Sequence, residues 1–195
     1  GHQNINQDQL IKKTFENEIN NINKTLKNLP ADSLEKSIDA ILGADRIHIL
    51  GLRGSYSLAV YTMARFGQIR RNVHLIHSLG MLFPEDLVGI EKGDICLAFF
   101  FPRYSRSAAN IIAWLKKKGV FVILVTNENY TNIASYGDII LPCYVKGDSL
   151  KNSYVAPMCL INYLVSAVAY RDYDGSISVL EETEEFLSQG YFLGL

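Results

Sequence analysis

The chain has 195 residues and a mass of 21.9 kDa, with 48% apolar and 20% charged side chains. That size suits one domain with a proper core, and that composition excludes a disordered or low-complexity chain. Nineteen basic and twenty acidic residues leave a net charge of −1, so no overall field draws the protein onto nucleic acid or an anionic membrane.

Gly1-His2 with no initiator Met reads as the remnant of a cleaved tag, so the native protein is expected to continue upstream. From Gln7 to Asn28, Leu10, Ile11, Phe15, Ile19, Ile22 and Leu26 recur every three or four residues. This spacing predicts a helix with one apolar stripe, which must pack on its own domain or on a second copy. After Pro30, Asp32 or Ser33 can cap a second helix running to Leu42. Short β-rich runs then alternate with helical ones. Strands are expected at Arg46–Leu50, Val73–His77, Asp94–Phe101, Phe121–Thr126 and Asp138–Cys143. Helices are expected at Ser55–Ile69, Met81–Ile90, Arg106–Lys118, Val155–Arg171 and Ile177–Gln189. Nearly continuous apolar strands with helices between them predict a parallel sheet covered on both faces. The fold class is therefore α/β, a three-layer α-β-α sandwich on a five-stranded parallel sheet. Residues 3–44 form leading helices packed on the domain or a partner, and 45–195 form the domain itself.

Cys96, Cys143 and Cys159 are odd in number, far apart and set in apolar runs, as expected of buried thiols in a reducing cytoplasm. Neither a disulfide framework nor a zinc site fits them. No signal peptide is evident, and the apolar stretch from Val155 to Tyr170 is short for a membrane span and carries Asn162 and Ser166. The reading is a cytoplasmic protein with no membrane partner.

In an open parallel sheet, ligands bind beyond the carboxyl ends of the strands. Two strand ends here carry polar loops, Gly51-Leu52-Arg53-Gly54-Ser55-Tyr56-Ser57 and Phe101-Pro102-Arg103-Tyr104-Ser105-Arg106-Ser107. Each enters a helix and offers hydroxyls and an arginine. Helix-start amides, their dipole and serine hydroxyls together make a cup for an anion. For either loop alone the simpler reading is that Ser55 or Ser105 caps its helix; two such loops side by side point to a phosphate. Arg53 and Arg103 can grip a dianion through two bonds each, or pair with Glu85, Asp86 or a carboxylate of a second subunit. Thr126 can contact a sugar, or simply finish its strand. His77 can serve as a general base, although such a histidine more often simply hydrogen-bonds at the rim. Glu181, Glu182, Glu184 and Glu185 wrap around a helix and read as a solvated surface. Trp114 reads as packing. There is no GxxxxGK[ST] and no GxGxxG, and no acid stands between Gly54 and Pro84 to hold an NAD ribose, so no nucleotide cofactor is expected. No metal is expected either.

The runs GLRGSYSLA, AFFFPRYSRSAANI, ILVTN and YGDIILP together resemble the SIS (sugar isomerase) phosphosugar-binding fold, which is flavodoxin-like. More narrowly they resemble the sugar-phosphate-sensing domain of RpiR-type transcription regulators. The resemblance spans Leu10 to Leu187, and FPRYS is its most specific piece. It implies a phosphorylated sugar as effector, self-association as a dimer or tetramer, and DNA contact only through a helix-turn-helix domain upstream of this sequence. It further implies Ser55, Ser105 and Ser107 as phosphate ligands, with Ser57, Arg53, Arg103 and Tyr104 in or behind the site. The chain departs from the commonest SIS pattern, because Arg53 and Arg103 stand where small or neutral residues are usual. The alternative function is a sugar-phosphate aldose–ketose isomerase.

Overall fold

The computed structural model describes residues 6–77, 84–148 and 150–190. Its centre is a sheet of five parallel strands: β1 (Ile47–Gly51), β2 (Val73–Leu75), β3 (Ile95–Phe99), β4 (Phe121–Asn127) and β5 (Ile139–Cys143). Their order across the sheet is β2-β1-β3-β4-β5. The chain first steps outward from β1 to β2, then crosses back over β1 to β3. The direction of winding therefore reverses between β1 and β3.

Side chains alternate between the two faces, as the pleat requires. Ile47, Ile49, Leu97, Phe99, Ile123, Val125 and Leu141 point to one face, which is covered by α2 (Ala31–Gly43), α3 (Tyr56–Gly67) and α5 (Val155–Arg171). Leu50, Cys96, Ala98, Val122 and Leu124 point to the other face, which is covered by α4 (Arg106–Lys117). Every position of β1 and β3 is buried, which is why these strands read as unbroken apolar runs. A last helix, α6 (Tyr173–Leu187), packs on α5. Its four glutamates, Glu181, Glu182, Glu184 and Glu185, are exposed as expected.

The first helix, α1 (Gln7–Asn28), spans the expected residues, started by a reciprocal cap between Asn6 and Gln9. Its orientation is the surprise. Leu10, Ile11, Phe15, Ile19 and Leu26 are 47–75% exposed, while Asn21 and Thr25 are buried. The helix meets its own domain with its polar side because it meets unpaired backbone there. The Asn17 and Asn21 amides donate to the Lys146 carbonyl at 2.6 and 2.8 Å, and the Tyr144 amide donates to Thr25 Oγ1 at 2.8 Å. Ser153 donates to Glu18 beside them.

Four other expectations need correction. The second helix starts directly after Pro30 and neither Asp32 nor Ser33 caps it; Pro30 holds the extended entry, and Asp32 pairs with Lys36 instead. The helix expected at Met81–Ile90 falls partly outside the described residues. The remainder, Pro84–Leu87, is one short 3-10 turn, and Gly89 with φ of 81° leads the chain away. Cys159 is exposed although Cys96 and Cys143 are buried, because it lies on the outer side of α5. Trp114 is also partly exposed, with the Lys118 ammonium 5.4 Å from its ring centre.

Candidate functional site

Since the chain leaves β1 and β3 toward opposite sides, their carboxyl ends diverge and open a crevice, the usual ligand position in sheets of this order. After β1 the chain makes a 3-10 turn, Arg53–Ser55, and enters α3; after β3 it runs from Phe100 to Ser105 and enters α4. Gly51 makes the first turn possible. A Cβ there would lie 2.4 Å from the Ser55 carbonyl oxygen and 3.0 Å from the Ala59 side chain. Between the two loops is a hollow of about 340 Å³.

Four of the expected site residues line this hollow: Arg53, Ser55, Arg103 and Ser105. The two arginines share an unusual backbone, with φ of 57° and 68°. Each stands two residues ahead of its serine, in the left-handed region where side chains other than Gly, Asn and Asp are disfavoured. Neither forms an ion pair among the described residues. Asp86, one of the carboxylates considered for them, holds His77 instead, at 3.0 Å from Nδ1. Ser105 caps α4, accepting from the Ala108 amide at 3.4 Å. Ser55 does not cap α3. Its hydroxyl is set to donate to the Leu52 carbonyl at 2.9 Å or the Phe99 carbonyl at 3.2 Å, stitching the first loop to the end of β3. A hydroxyl has one proton, so Ser55 must release these carbonyls before donating to an anion.

The other four lie around the hollow without lining it. Ser57 is exposed and bonds to the Gly54 carbonyl at 2.9 Å, and Ser107 is exposed on α4. Tyr104 packs against Phe100 with the rings tilted by 48° and their centres 4.7 Å apart, and it donates to Asn127 at 2.7 Å. Thr126 is fully buried, and its hydroxyl donates to the Phe100 carbonyl. Both residues fix the second loop to the end of β4.

Sequence reasoning missed one wall. Lys151, Asn152 and Tyr154, from the connection between β5 and α5, complete the lining. The Tyr154 ring lies 5.4 Å from that of Phe101, and its hydroxyl would be 3.1 Å from a Cβ at Gly54. Burial raises the pKa of Tyr154, opposed by a hydrogen bond with Asn152, so the phenol keeps its proton. The available signal was position, because this is a third loop at a strand's carboxyl end.

The lining thus holds Arg53, Arg103 and Lys151 and, among the described residues, no carboxylate or imidazole. The starts of α3 and α4 border it and add their amides and the positive end of each helix dipole. Such an arrangement favours a compact anion. His77 lies elsewhere, in a separate hollow of about 480 Å³ with Arg46, His48 and His74.

Comparison with known proteins agrees with this fold. The SIS domain family profile matches residues 40–167, and the chain belongs to that family. It is 23% identical over 185 residues to an uncharacterized HTH-type transcriptional regulator, YbbH, of Bacillus subtilis, covering 89% of this chain and 63% of that protein. The chain spans less than two-thirds of the length of the curated relatives it matches. Among solved structures, it resembles the sugar isomerase domain of an RpiR transcription factor from Sphaerobacter thermophilus, with a TM-score of 0.85, 23% identity and coverage of 91% and 99%. It also resembles the Vibrio vulnificus NanR protein complexed with ManNAc-6P, with a TM-score of 0.77, 15% identity and coverage of 95% and 70%.

Proposed function

We propose that this chain is the effector-sensing domain of a cytoplasmic transcription regulator. It binds a phosphorylated sugar between β1 and β3, self-associates, and passes occupancy to a DNA-binding domain outside this sequence. The observation that carries the reading is the hollow itself, a cationic crevice between two helix starts with an arginine and a serine from each loop. The regulators it resembles are longer than this chain, which leaves room in them for a DNA-binding part. The bound ManNAc-6P of the NanR structure gives the class of ligand. Arg53, Ser55, Arg103 and Ser105 are the proposed phosphate contacts. Ser57 and Ser107 lie at the rim, while Tyr104 and Thr126 hold the loop from behind. Each charge-assisted bond contributes roughly 1.5–3 kcal/mol, so four contribute roughly 6–12 kcal/mol, a range that contains the roughly 8 kcal/mol of a micromolar complex.

Thermal melting in phosphate-free buffer against hexose and pentose phosphates tests this. At least one should raise the melting temperature, its unphosphorylated sugar should not, and Ser105→Ala should shrink the shift. A flat response to the whole panel at millimolar concentration would overturn the reading. Aldose–ketose isomerisation is disfavoured, because it needs a base beside the substrate carbonyl and the described lining offers neither imidazole nor carboxylate. Proton exchange at the sugar carbon next to the carbonyl, followed by NMR, should therefore stay at the uncatalysed rate.

A further inference from the structure

Among the described residues, most of the apolar stripe of α1 has no counterpart in its own domain. Leu10, Ile11, Phe15, Ile19 and Leu26 are all about half exposed or more, along a helix of 22 residues that is about 33 Å long. A monomer rarely leaves a continuous strip of this kind bare. The helix is nevertheless held firmly, because its opposite face is bonded to Tyr144 and Lys146. It is therefore presented outward as a rigid ridge.

We infer that this ridge packs antiparallel against the same ridge of a second copy of the chain. Three features of the helix select that occupant and that direction. First, Ile11, Phe15, Ile19, Ile22 and Leu26 are spaced 4, 4, 3 and 4 residues apart. Read backwards, the series is 4, 3, 4 and 4, so the stripe is within one residue of matching its own reverse. A two-fold axis needs such a self-complementary patch. It lies near Ile19, with Ile11 facing Leu26 and Phe15 facing Ile22. Second, the helix carries Asp8 in its first turn and Lys27 in its last. Antiparallel pairing sets these opposite charges within a turn of each other, whereas parallel pairing stacks each on its own copy. Third, antiparallel helix dipoles attract and parallel ones repel. The inference deepens the self-association proposed above by naming its surface, and it does not depend on ligand binding.

The test uses the whole chain carrying Cys159→Ser, which removes the exposed thiol. Ile19→Cys, close to the axis, should cross-link to itself on mild oxidation or with a short thiol-reactive linker. Ile11→Cys alone should not, but mixed with chains carrying Leu26→Cys it should. Light scattering should find a dimer for the parent. Phe15→Lys with Ile19→Lys should weaken it at least about tenfold with an unchanged circular dichroism spectrum, because these side chains are already exposed. A parent that is monomeric at high micromolar concentration overturns both the dimer and its surface. A dimer that survives the lysine substitutions, or forms no cross-link at position 19, places the interface elsewhere and overturns only this assignment. Self-linking of Ile11→Cys would mean parallel pairing and likewise overturn it.

Discussion

Arg53 and Arg103 mark the hollow by their backbone as much as by their charge. Among the described non-glycine residues only these two and Asn72 have positive φ, and asparagine tolerates that region. An ordinary L-residue there costs roughly 1–2 kcal/mol, so both loops hold strain at matching positions beside the proposed phosphate contacts. Arg103→Gly should therefore leave the melting temperature equal or higher while weakening sugar-phosphate binding about tenfold or more; melting and calorimetric titration of one preparation check both. A second group of residues sets the response to acid. Asp94 is buried, which alone would raise its carboxyl pKa. Bonds from Arg46 at 2.8 and 2.9 Å and from the Glu91 amide at 3.0 Å outweigh this and hold it below the ordinary range. Burial lowers the pKa of His48 despite Asp94 at 3.3 Å. Both shifts act in the same direction. As pH falls below about 6.5 the unfolded chain protonates His48 while the folded chain resists, and near pH 4 the same becomes true of Asp94. Stability should therefore decline on acidification, first between pH 7 and 5. His48→Gln should flatten that first part in denaturant titrations and leave the later fall in place.

Single elements carry further expectations. Gly51→Ala should cost about 1–3 kcal/mol by overpacking the turn between β1 and α3, read as a lower denaturant midpoint, because the new Cβ meets the Ser55 carbonyl at 2.4 Å. Thr25→Val removes the acceptor of the Tyr144 amide. It should cost about 1–3 kcal/mol and speed hydrogen exchange along α1 and at Tyr144. The limits of α1 were legible in the sequence because period and cap signals are local. The direction of its stripe was not. Periodicity says which residues share a face, whereas the facing surface was set by Tyr144, Lys146 and Ser153, more than a hundred residues away. β2 ends earlier than its apolar run, and the His77 amide donates to Asp86 at 2.9 Å instead of continuing the ladder with β1.

Across the whole molecule, the alternation of apolar strands and amphipathic helices sufficed for a five-stranded parallel sandwich, since parallel strands need crossovers and both faces need cover. The site was legible where it follows from that topology, at the loops after β1 and β3. It was hidden where loops from distant strands converge. Lys151, Asn152 and Tyr154 arrive from β5, two places along the sheet from β3. Thr126 is the penultimate residue of β4, a strand in which every preceding residue except Phe121 is buried, so nothing local told an inward hydroxyl from an outward one. The two sides of α1 have a consequence for the assembled protein. One side clasps the connection from Tyr144 to Ser153 that leads into the wall of the hollow, and the other is the proposed seam. If a bound sugar phosphate strengthens dimerisation through that clasp, thermodynamic reciprocity requires dimerisation to tighten the sugar phosphate by an equal factor. Dilution would then loosen the effector, and the measured dissociation constant would rise as the protein itself became scarce.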